Sequence, residues 1–263
     1  MREKIGIFGS NDEITEISCQ KLKNFYEIVL FSFSPLKFKY GKKYLIEFGN
    51  IEKVFKIFDK EKIKKFLFIG KVETSQIFNS KFHLSGKKFL NSISNWNSEI
   101  ILKTISDFLM RKNIEIIPLV KIFKEQIVEK KVYTKRQPTE REVNDIDIGF
   151  KILNDILKYR IGQSLTIKNG MVIAIEGIEG TDKMIERTGK FCKDFVFVKI
   201  AGRNKDIRFD LPVIGPDTIK NLYKAGGRVI AVEANKSIII NEEKIVNLAN
   251  KYNITLLGND YKR

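Results

Sequence analysis

The chain has 263 residues, 43% of them hydrophobic, which indicates a globular protein with one large domain or two smaller ones. Two distant cysteines and a single histidine, Cys19, Cys192 and His83, exclude a zinc site and a disulfide framework. No apolar run reaches the ~18–20 residues that span a bilayer, and the chain opens directly into a short strand, so we expect a cytosolic protein.

The formal net charge of +16 at pH 7 predicts an anionic partner, such as nucleic acid, an anionic membrane surface or a phosphorylated substrate. Lysines and arginines are spread along the chain, without a dense basic block or a nucleic-acid-binding motif. We therefore expect no nucleic-acid partner.

The first half of the chain alternates short apolar strands with helices, which predicts a parallel α/β sheet. We expect strands over 4–9, 26–32, 44–48, 66–69 and 114–119, and helices over 13–25, 50–60 and 96–112. The turns after two of these strands are candidate substrate contacts, since α/β domains bind ligands where strands end. These contacts are Gly9 with Ser10, which could also form a merely structural turn, and Gly70 with Lys71, where the lysine could also be simply solvated.

Residues 122–141 are strongly charged and lack a sustained apolar period, which indicates a domain boundary. We predict an N-terminal Rossmann-like parallel-sheet domain over residues 1–130, a linker over 131–145 and a C-terminal mixed α/β domain over 146–263. A cleft is expected between the two domains.

The C-terminal part begins with a helix that runs to Tyr159 behind a capping signal at Thr139. A hairpin follows over 165–167 and 171–175, turned by Asn169-Gly170. Further along the chain we expect helices from Thr181, over 217–224 and over 242–252, and strands over 229–234, 237–240 and 254–257.

The stretch from Val172 to Pro216 combines strand ends, glycines and charged residues, as ligand-binding sites commonly do. A strand ends in Glu176, Gly177 and Gly180 allow close approach of backbone amides, and Thr181 and Asp182 are candidate helix caps. A helix N-terminus here suits a phosphate, and cations accompany it at Lys183, Arg187, Lys199, Arg203 and Arg208. This pattern indicates phosphoryl chemistry with a divalent metal; alternatively, the acids only cap helices and pair with surface lysines.

Two further carboxylates stand at the ends of extended segments. Asp210 directly precedes a Leu-Pro turn, and Glu233 ends a V-I-A-V-E run that echoes V-I-A-I-E at Glu176. Two similar strand ends could bring both glutamates to one side of a sheet, although such short runs could also match by chance.

Several motifs in order resemble the UDP-2,3-diacylglucosamine diphosphatase family of the LpxI type. They are Gly162-Gln163, A-I-E-G-I-E-G-T-D-K-M-I-E-R-T-G from Ala174, V-K-I-A from Val198, R-F-D-L-P-V-I-G-P-D-T from Arg208, and A-G-G-R-V-I-A-V-E-A from Ala225. The resemblance implies a lipid A pathway enzyme that hydrolyses UDP-2,3-diacylglucosamine to 2,3-diacylglucosamine 1-phosphate and UMP, with Mg²⁺ or Mn²⁺ as cofactor.

Under this resemblance Asp210 is the most critical residue, as a metal ligand or as the group that orients water. We expect Glu179 and Asp182 to be catalytic and to bind the metal, with Glu176 and Glu233 as further metal ligands. The expected substrate-binding residues are Gly9, Ser10, Gly70, Lys71, Gln163, Gly180, Thr181, Lys199 and Arg208.

The implied substrate is amphipathic, so we expect the protein to work at the cytoplasmic face of the inner membrane as a peripheral protein, and homodimer formation stays open. Two alternatives remain. A non-catalytic module that binds RNA or an anionic membrane surface would fit the charge. A nucleotide-sugar-modifying Rossmann enzyme would fit the opening strand, turn and helix.

Overall fold

The structure is a computed structural model that describes residues 2–47, 50–69, 98–159, 161–202 and 211–260. Contacts within the chain divide it after Ile122 into two compact units. No helix in the described ranges is long and apolar enough to cross a membrane.

The first unit is built on a parallel sheet in the order β3-β2-β1-β4-β5. Its strands are β1 (Lys4–Phe8), β2 (Glu27–Ser32), β3 (Lys42–Leu45), β4 (Lys65–Phe68) and β5 (Glu115–Ile116), and its helices are α1 (Glu13–Leu22), α2 (Ile51–Glu61), α3 (Ser98–Arg111) and α4 (Leu119–Ile122). The strand order reverses between β1 and β4, as in doubly wound nucleotide-binding folds. The predicted Rossmann-like parallel sheet is confirmed.

The central strands β1, β2 and β4 are buried along almost their whole length, as expected for strands that are covered on both faces of a parallel sheet. Phe31 of β2 is fully buried, and its ring packs edge-on against Phe58 and Phe66, with centroids 5.0 Å and 5.7 Å away. The strand predicted over 114–119 is shorter than expected, because β5 ends at Ile116 and the chain turns at Pro118 into α4.

The second unit contains a mixed sheet in the order β12-β10-β8-β6-β7 and a small parallel pair, β9 with β11. Its strands are β6 (Ser164–Lys168), β7 (Met171–Ile175), β8 (Val196–Lys199), β9 (Val213–Ile214), β10 (Val229–Glu233), β11 (Ile238–Ile239) and β12 (Thr255–Asn259), and its helices are α5 (Glu140–Ile156), α6 (Thr181–Phe191), α7 (Pro216–Ala225) and α8 (Glu242–Lys251). The predicted mixed α/β architecture is confirmed.

Alternating side chains of the second sheet pack on different helices. Phe197 and Ile230 belong to a buried cluster with residues of α6, α7 and α8, whereas Val198 and Ala231 belong to a second cluster with residues of α5. Successive residues of a strand point to opposite faces, so the sheet lies between two helical layers.

The predicted Asn-Gly turn joins β6 to β7. Asn169 and Gly170 have φ values of 50° and 77°, both in the left-handed region that a tight hairpin requires. The buried carboxylate of Asp145 accepts hydrogen bonds from both of their backbone amides, at 2.8 Å and 2.6 Å. Helix α5 is thereby attached to the hairpin.

Residues 131–145, predicted as a linker, make specific contacts within the second unit. The amide of Tyr133 donates to the carbonyl of Leu256 at 2.8 Å, and Val132 forms a bridge with Leu257 of β12. Thr139 then begins α5 with a capping box that includes Glu142. This stretch therefore extends the edge of the second sheet.

Candidate active site at the carboxyl edge of the second sheet

The strand directions of the second sheet gather polar residues at one edge. Strand β6 is antiparallel to both of its neighbours, β7 and β8, whereas β8, β10 and β12 are mutually parallel. The start of β6 therefore lies beside the carboxyl ends of the other four strands. The residues at this edge are Ser164, Glu176, Lys199, Glu233 and Asn259.

Glu176, directly after β7, is bound by protein donors through both carboxylate oxygens. Oε2 accepts a hydrogen bond from the Ser164 hydroxyl at 2.7 Å and a longer one from the Gln163 amide at 3.4 Å. Oε1 accepts from the Thr181 hydroxyl at 2.8 Å. Since the residue is only 9% exposed, these contacts compensate the burial of its two polar oxygens.

Lys199, the last residue of β8, connects to the same group. Its side chain is buried, and Nζ donates a hydrogen bond to the Thr181 hydroxyl at 3.0 Å. Thr181 is the first residue of α6, so an ammonium group lies at the N-terminus of this helix. The cation and the helix dipole both favour an anion here.

The predicted capping of α6 by Thr181 and Asp182 is wrong. Gly180 is the N-cap, with φ of 80° and without a side-chain capping bond, and Thr181 directs its hydroxyl to Glu176 instead. The Asp182 carboxylate accepts a hydrogen bond from the Asn221 side chain of α7 at 3.0 Å. The left-handed backbone of Gly180 explains why glycine starts this helix.

Glu179 forms an ion pair with Arg187 of α6, with 2.7 Å between the guanidinium nitrogen and the carboxylate oxygen. The same guanidinium donates to the Ile175 carbonyl at 3.2 Å. Burial alone would raise the pKa of Glu179, but hydrogen bonds from backbone amides and from Arg187 hold that pKa below its ordinary value. Glu179 is thus ionised at neutral pH in this structure.

Glu233, at the end of β10, accepts hydrogen bonds from the amides of Ala201 and Gly202 at 2.9 Å and 3.0 Å. Its other carboxylate oxygen pairs with Lys236 at 2.7 Å. Glu176 and Glu233 do lie at one edge of the sheet, as their repeated strand sequences predict. The contacts of Glu233 favour a role in holding Ala201 and Gly202, the residues that follow β8.

Gly9 and Ser10 form the turn between β1 and α1 of the first unit. A Cβ at Gly9 would come within 2.4 Å of the Thr15 side chain, and the Ser10 amide donates to the Thr15 hydroxyl at 3.3 Å. The Ser10 hydroxyl bonds to Asp12, which caps α1 by accepting from the Thr15 amide at 2.9 Å. These contacts make the turn rigid.

Several predicted site residues lie outside the described residues, namely Gly70, Lys71, Arg203, Arg208 and Asp210. Within the described ranges, no three acidic, cysteine or histidine side chains gather in an arrangement that could hold a metal ion. Glu176, Glu179, Asp182 and Glu233 therefore include no such group of three in the described part of the chain.

Sequence reasoning did not single out Ser164 or Asn221 as site residues. Ser164 stands next to the motif Gly162-Gln163, but only the antiparallel placement of β6 brings its hydroxyl to Glu176. Gly162 also packs closely against Glu176, since a Cβ at this position would lie 2.1 Å from the Glu176 carbonyl oxygen. This close approach explains the glycine in that motif.

Two family descriptions match the chain in succession, the LpxI N-terminal domain over residues 15–126 and the LpxI C-terminal domain over residues 129–257. The chain belongs to the LpxI family. This membership confirms the resemblance drawn from the sequence motifs, and the two matched domains agree with the two α/β units of the fold.

A curated LpxI relative is the UDP-2,3-diacylglucosamine pyrophosphatase LpxI of Caulobacter vibrioides. It is 25% identical over 224 residues, which cover 81% of this chain and 80% of the relative. Its name describes a hydrolase of a phosphoric anhydride, the enzyme class that the resemblance predicts.

Similarities to solved structures are weak. A GalE-like L-threonine dehydrogenase from Cupriavidus necator aligns with a TM-score of 0.30 and 13% identity, covering 43% of this chain and 34% of that chain. An N5-carboxyaminoimidazole ribonucleotide synthetase from Thermotoga maritima aligns with a TM-score of 0.24 and 13% identity, covering 66% of this chain and 41% of that chain. This LpxI chain thus spans less than half of either protein.

Proposed function

We propose that this chain hydrolyses the diphosphate of UDP-2,3-diacylglucosamine to 2,3-diacylglucosamine 1-phosphate and UMP, a step of lipid A biosynthesis. The LpxI family membership supports the substrate and the reaction class. We assign the reaction to one site because the Lys199 ammonium group lies at the N-terminus of α6, at the carboxyl edge of the second sheet.

A diphosphate ester needs its oxygens neutralised before water can displace a phosphate. Lys199 supplies a buried positive charge, and the first turn of α6 supplies backbone amides that lack intrahelical partners. Gly180 carries no side chain that could cover this helix end, and among the described residues no atom lies within 4 Å of the Cβ that it lacks. These features suit a phosphate group of the substrate.

We propose further that the reaction depends on Mg²⁺ or Mn²⁺. This part of the proposal rests on the family resemblance, which implies Asp210, Asp182 and Glu179 as metal ligands, since the described residues contain no group of three acidic side chains that could hold the ion. A bound divalent cation would supply charge neutralisation at the phosphate oxygens. Asp182 and Glu179 follow Glu176 closely in sequence. Their carboxylates accept hydrogen bonds from Asn221 and Arg187, respectively, which hold them in place.

The decisive experiment incubates the purified protein with UDP-2,3-diacylglucosamine and measures release of UMP, with Mg²⁺, with Mn²⁺ and with a chelator. We expect metal-dependent release of UMP together with 2,3-diacylglucosamine 1-phosphate. UMP release that continues in excess chelator would remove the metal from the proposal while keeping the reaction. Folded protein that releases no UMP with either metal would refute the reaction itself.

Peripheral association with the inner-membrane surface is a separate part of the proposal, based on the amphipathic substrate and the net charge of +16. Sedimentation of the protein with vesicles containing phosphatidylglycerol, compared with vesicles of phosphatidylcholine alone, tests this part. Salt-sensitive binding to the anionic vesicles only is the expected result.

A further inference from the structure

We propose that Glu176 and Ser164 are positioning residues that orient the Lys199 ammonium through the Thr181 hydroxyl. The inference rests on the proposed function, in which Lys199 contacts a substrate phosphate. It gives Glu176 a different role from the metal ligand that the sequence motif predicts, and it gives Ser164 a role that no motif indicates.

The direction of each hydrogen bond in this chain of contacts follows from chemistry. A lysine ammonium can only donate, and a hydroxyl that accepts from it keeps a single proton to donate to another acceptor. Because Thr181 lies 3.0 Å from Lys199 Nζ and 2.8 Å from Glu176 Oε1, its proton must point to Glu176 and its lone pair to Lys199. The order is therefore Lys199 to Thr181 to Glu176.

Ser164 fixes the far end of this arrangement. Its hydroxyl donates to Glu176 Oε2 at 2.7 Å from a fully buried position. The carboxylate is held between hydroxyl groups from β6 and α6, and this leaves it little freedom to rotate. A carboxylate that the buried Ser164 hydroxyl orients can in turn fix the Thr181 hydroxyl whose lone pair receives Lys199.

The same side chains bridge three separate elements of the fold. Ser164 begins β6, Lys199 ends β8, and Thr181 begins α6. The network therefore sets the position of the helix N-terminus relative to the lysine at the sheet edge. Misplacement of a charged group by about 1 Å can cost ~100-fold in rate.

The matched pair of variants is Thr181→Val and Thr188→Val. Both remove a threonine hydroxyl from α6, but Thr188 bonds to Thr166 at 2.8 Å and has no contact with this network. We expect Thr181→Val to lower kcat for UMP release by about 10- to 100-fold with little change in KM, and Thr181→Ser to restore most of the activity. Thr188→Val should keep the native kcat.

A double-mutant cycle shows whether the effect passes through Lys199. Thr181→Val, Glu176→Gln and Ser164→Ala are each combined with Lys199→Gln, and none should lower kcat further, because the group they orient is already gone. The Mg²⁺ concentration for half-maximal activity should be unchanged in Glu176→Gln. Equal losses in both backgrounds, or a raised Mg²⁺ requirement, would overturn the positioning role and leave the proposed function standing.

A second readout does not depend on activity. The rate of reductive methylation of Lys199, followed by mass spectrometry, should rise in Thr181→Val and Glu176→Gln and stay native in Thr188→Val. An unchanged rate in all variants would show that the network does not hold the lysine and would overturn the inference. Native protein that releases no UMP would instead refute the proposed function, and the methylation rates would still decide whether Lys199 is held.

Discussion

The carboxylate of Glu233, at the end of β10, accepts a hydrogen bond at 3.0 Å from the backbone amide of Gly202, which follows β8. The Ala201 amide donates to the same oxygen at 2.9 Å, so one side chain holds the two residues Ala201 and Gly202 that follow the neighbouring strand. Residues beyond Gly202 include Asp210, the acid that the family motif singles out.

Glu233→Ala is therefore expected to lower UMP release because Ala201 and Gly202, which follow β8, lose their acceptor. Loss of a carboxylate that two buried amides need should cost about 1–3 kcal/mol of unfolding free energy. The Mg²⁺ concentration for half-maximal activity should stay native, because both oxygens are already bound to protein donors. Urea unfolding and a Mg²⁺ titration check the two parts. A large rise in the Mg²⁺ requirement would instead identify Glu233 as a metal ligand.

Asp210→Ala is expected to abolish turnover while the protein remains folded. The prediction comes from the position of Asp210 before Leu211-Pro212 and from its match to the family motif. Asp217→Ala is a suitable control, since that carboxylate is exposed and pairs only with Lys220 among the described contacts. UMP release and circular dichroism of both variants provide the test. An active Asp210→Ala protein would show that another group performs the chemistry.

Gly162→Ala should reduce activity by disturbing Glu176. A Cβ at this position would lie 2.1 Å from the Glu176 carbonyl oxygen, so the two segments must separate at a cost of about 1–3 kcal/mol. Gly170→Ala is the control at the opposite edge of the sheet, where a positive φ of 77° makes the substitution destabilising without reaching the site. Comparison of kcat at equal folded fractions separates a local effect on the site from a general loss of stability. Similar kcat losses in both variants would contradict a local effect.

Glu61→Gln should weaken the first unit in a pH-dependent way. Hydrogen bonds from Lys4, Lys42 and Tyr44 lower the pKa of Glu61 to about 2, compared with an ordinary value of 4.5. A carboxyl whose pKa is lower in the folded state stabilises the fold above its unfolded pKa and loses this effect as pH falls through the folded pKa. The variant should therefore be about 1–3 kcal/mol less stable at pH 7.

Urea unfolding of the native protein and of Glu61→Gln between pH 7 and pH 2 measures the difference between their free energies of unfolding. The stability difference should stay constant down to about pH 4.5 and shrink steadily between that value and about pH 2, because the unfolded carboxyl takes up its proton in this range while the folded one stays ionised. A difference that does not change with pH would show that hydrogen-bond geometry, and not the charge of Glu61, stabilises this group.

The sequence by itself determined the two α/β units, the Asn169-Gly170 turn and the family, because each depends on short patterns. Alternating apolar runs identify strands, a left-handed dipeptide identifies a tight hairpin, and ordered motifs identify LpxI. The repeated strand endings also indicated correctly that Glu176 and Glu233 share one edge of a sheet.

Only the tertiary structure decided what these residues contact. The two backbone amides that Glu233 binds lie 31 and 32 residues away, and Ser164 reaches Glu176 because β6 runs antiparallel to its neighbours. Local sequence also favoured Thr181 as a helix cap, yet its hydroxyl donates to the nearby Glu176 carboxylate, and Gly180 is the N-cap. A buried charge binds the donors that strand order brings to it, and strand order is a property of the whole sheet.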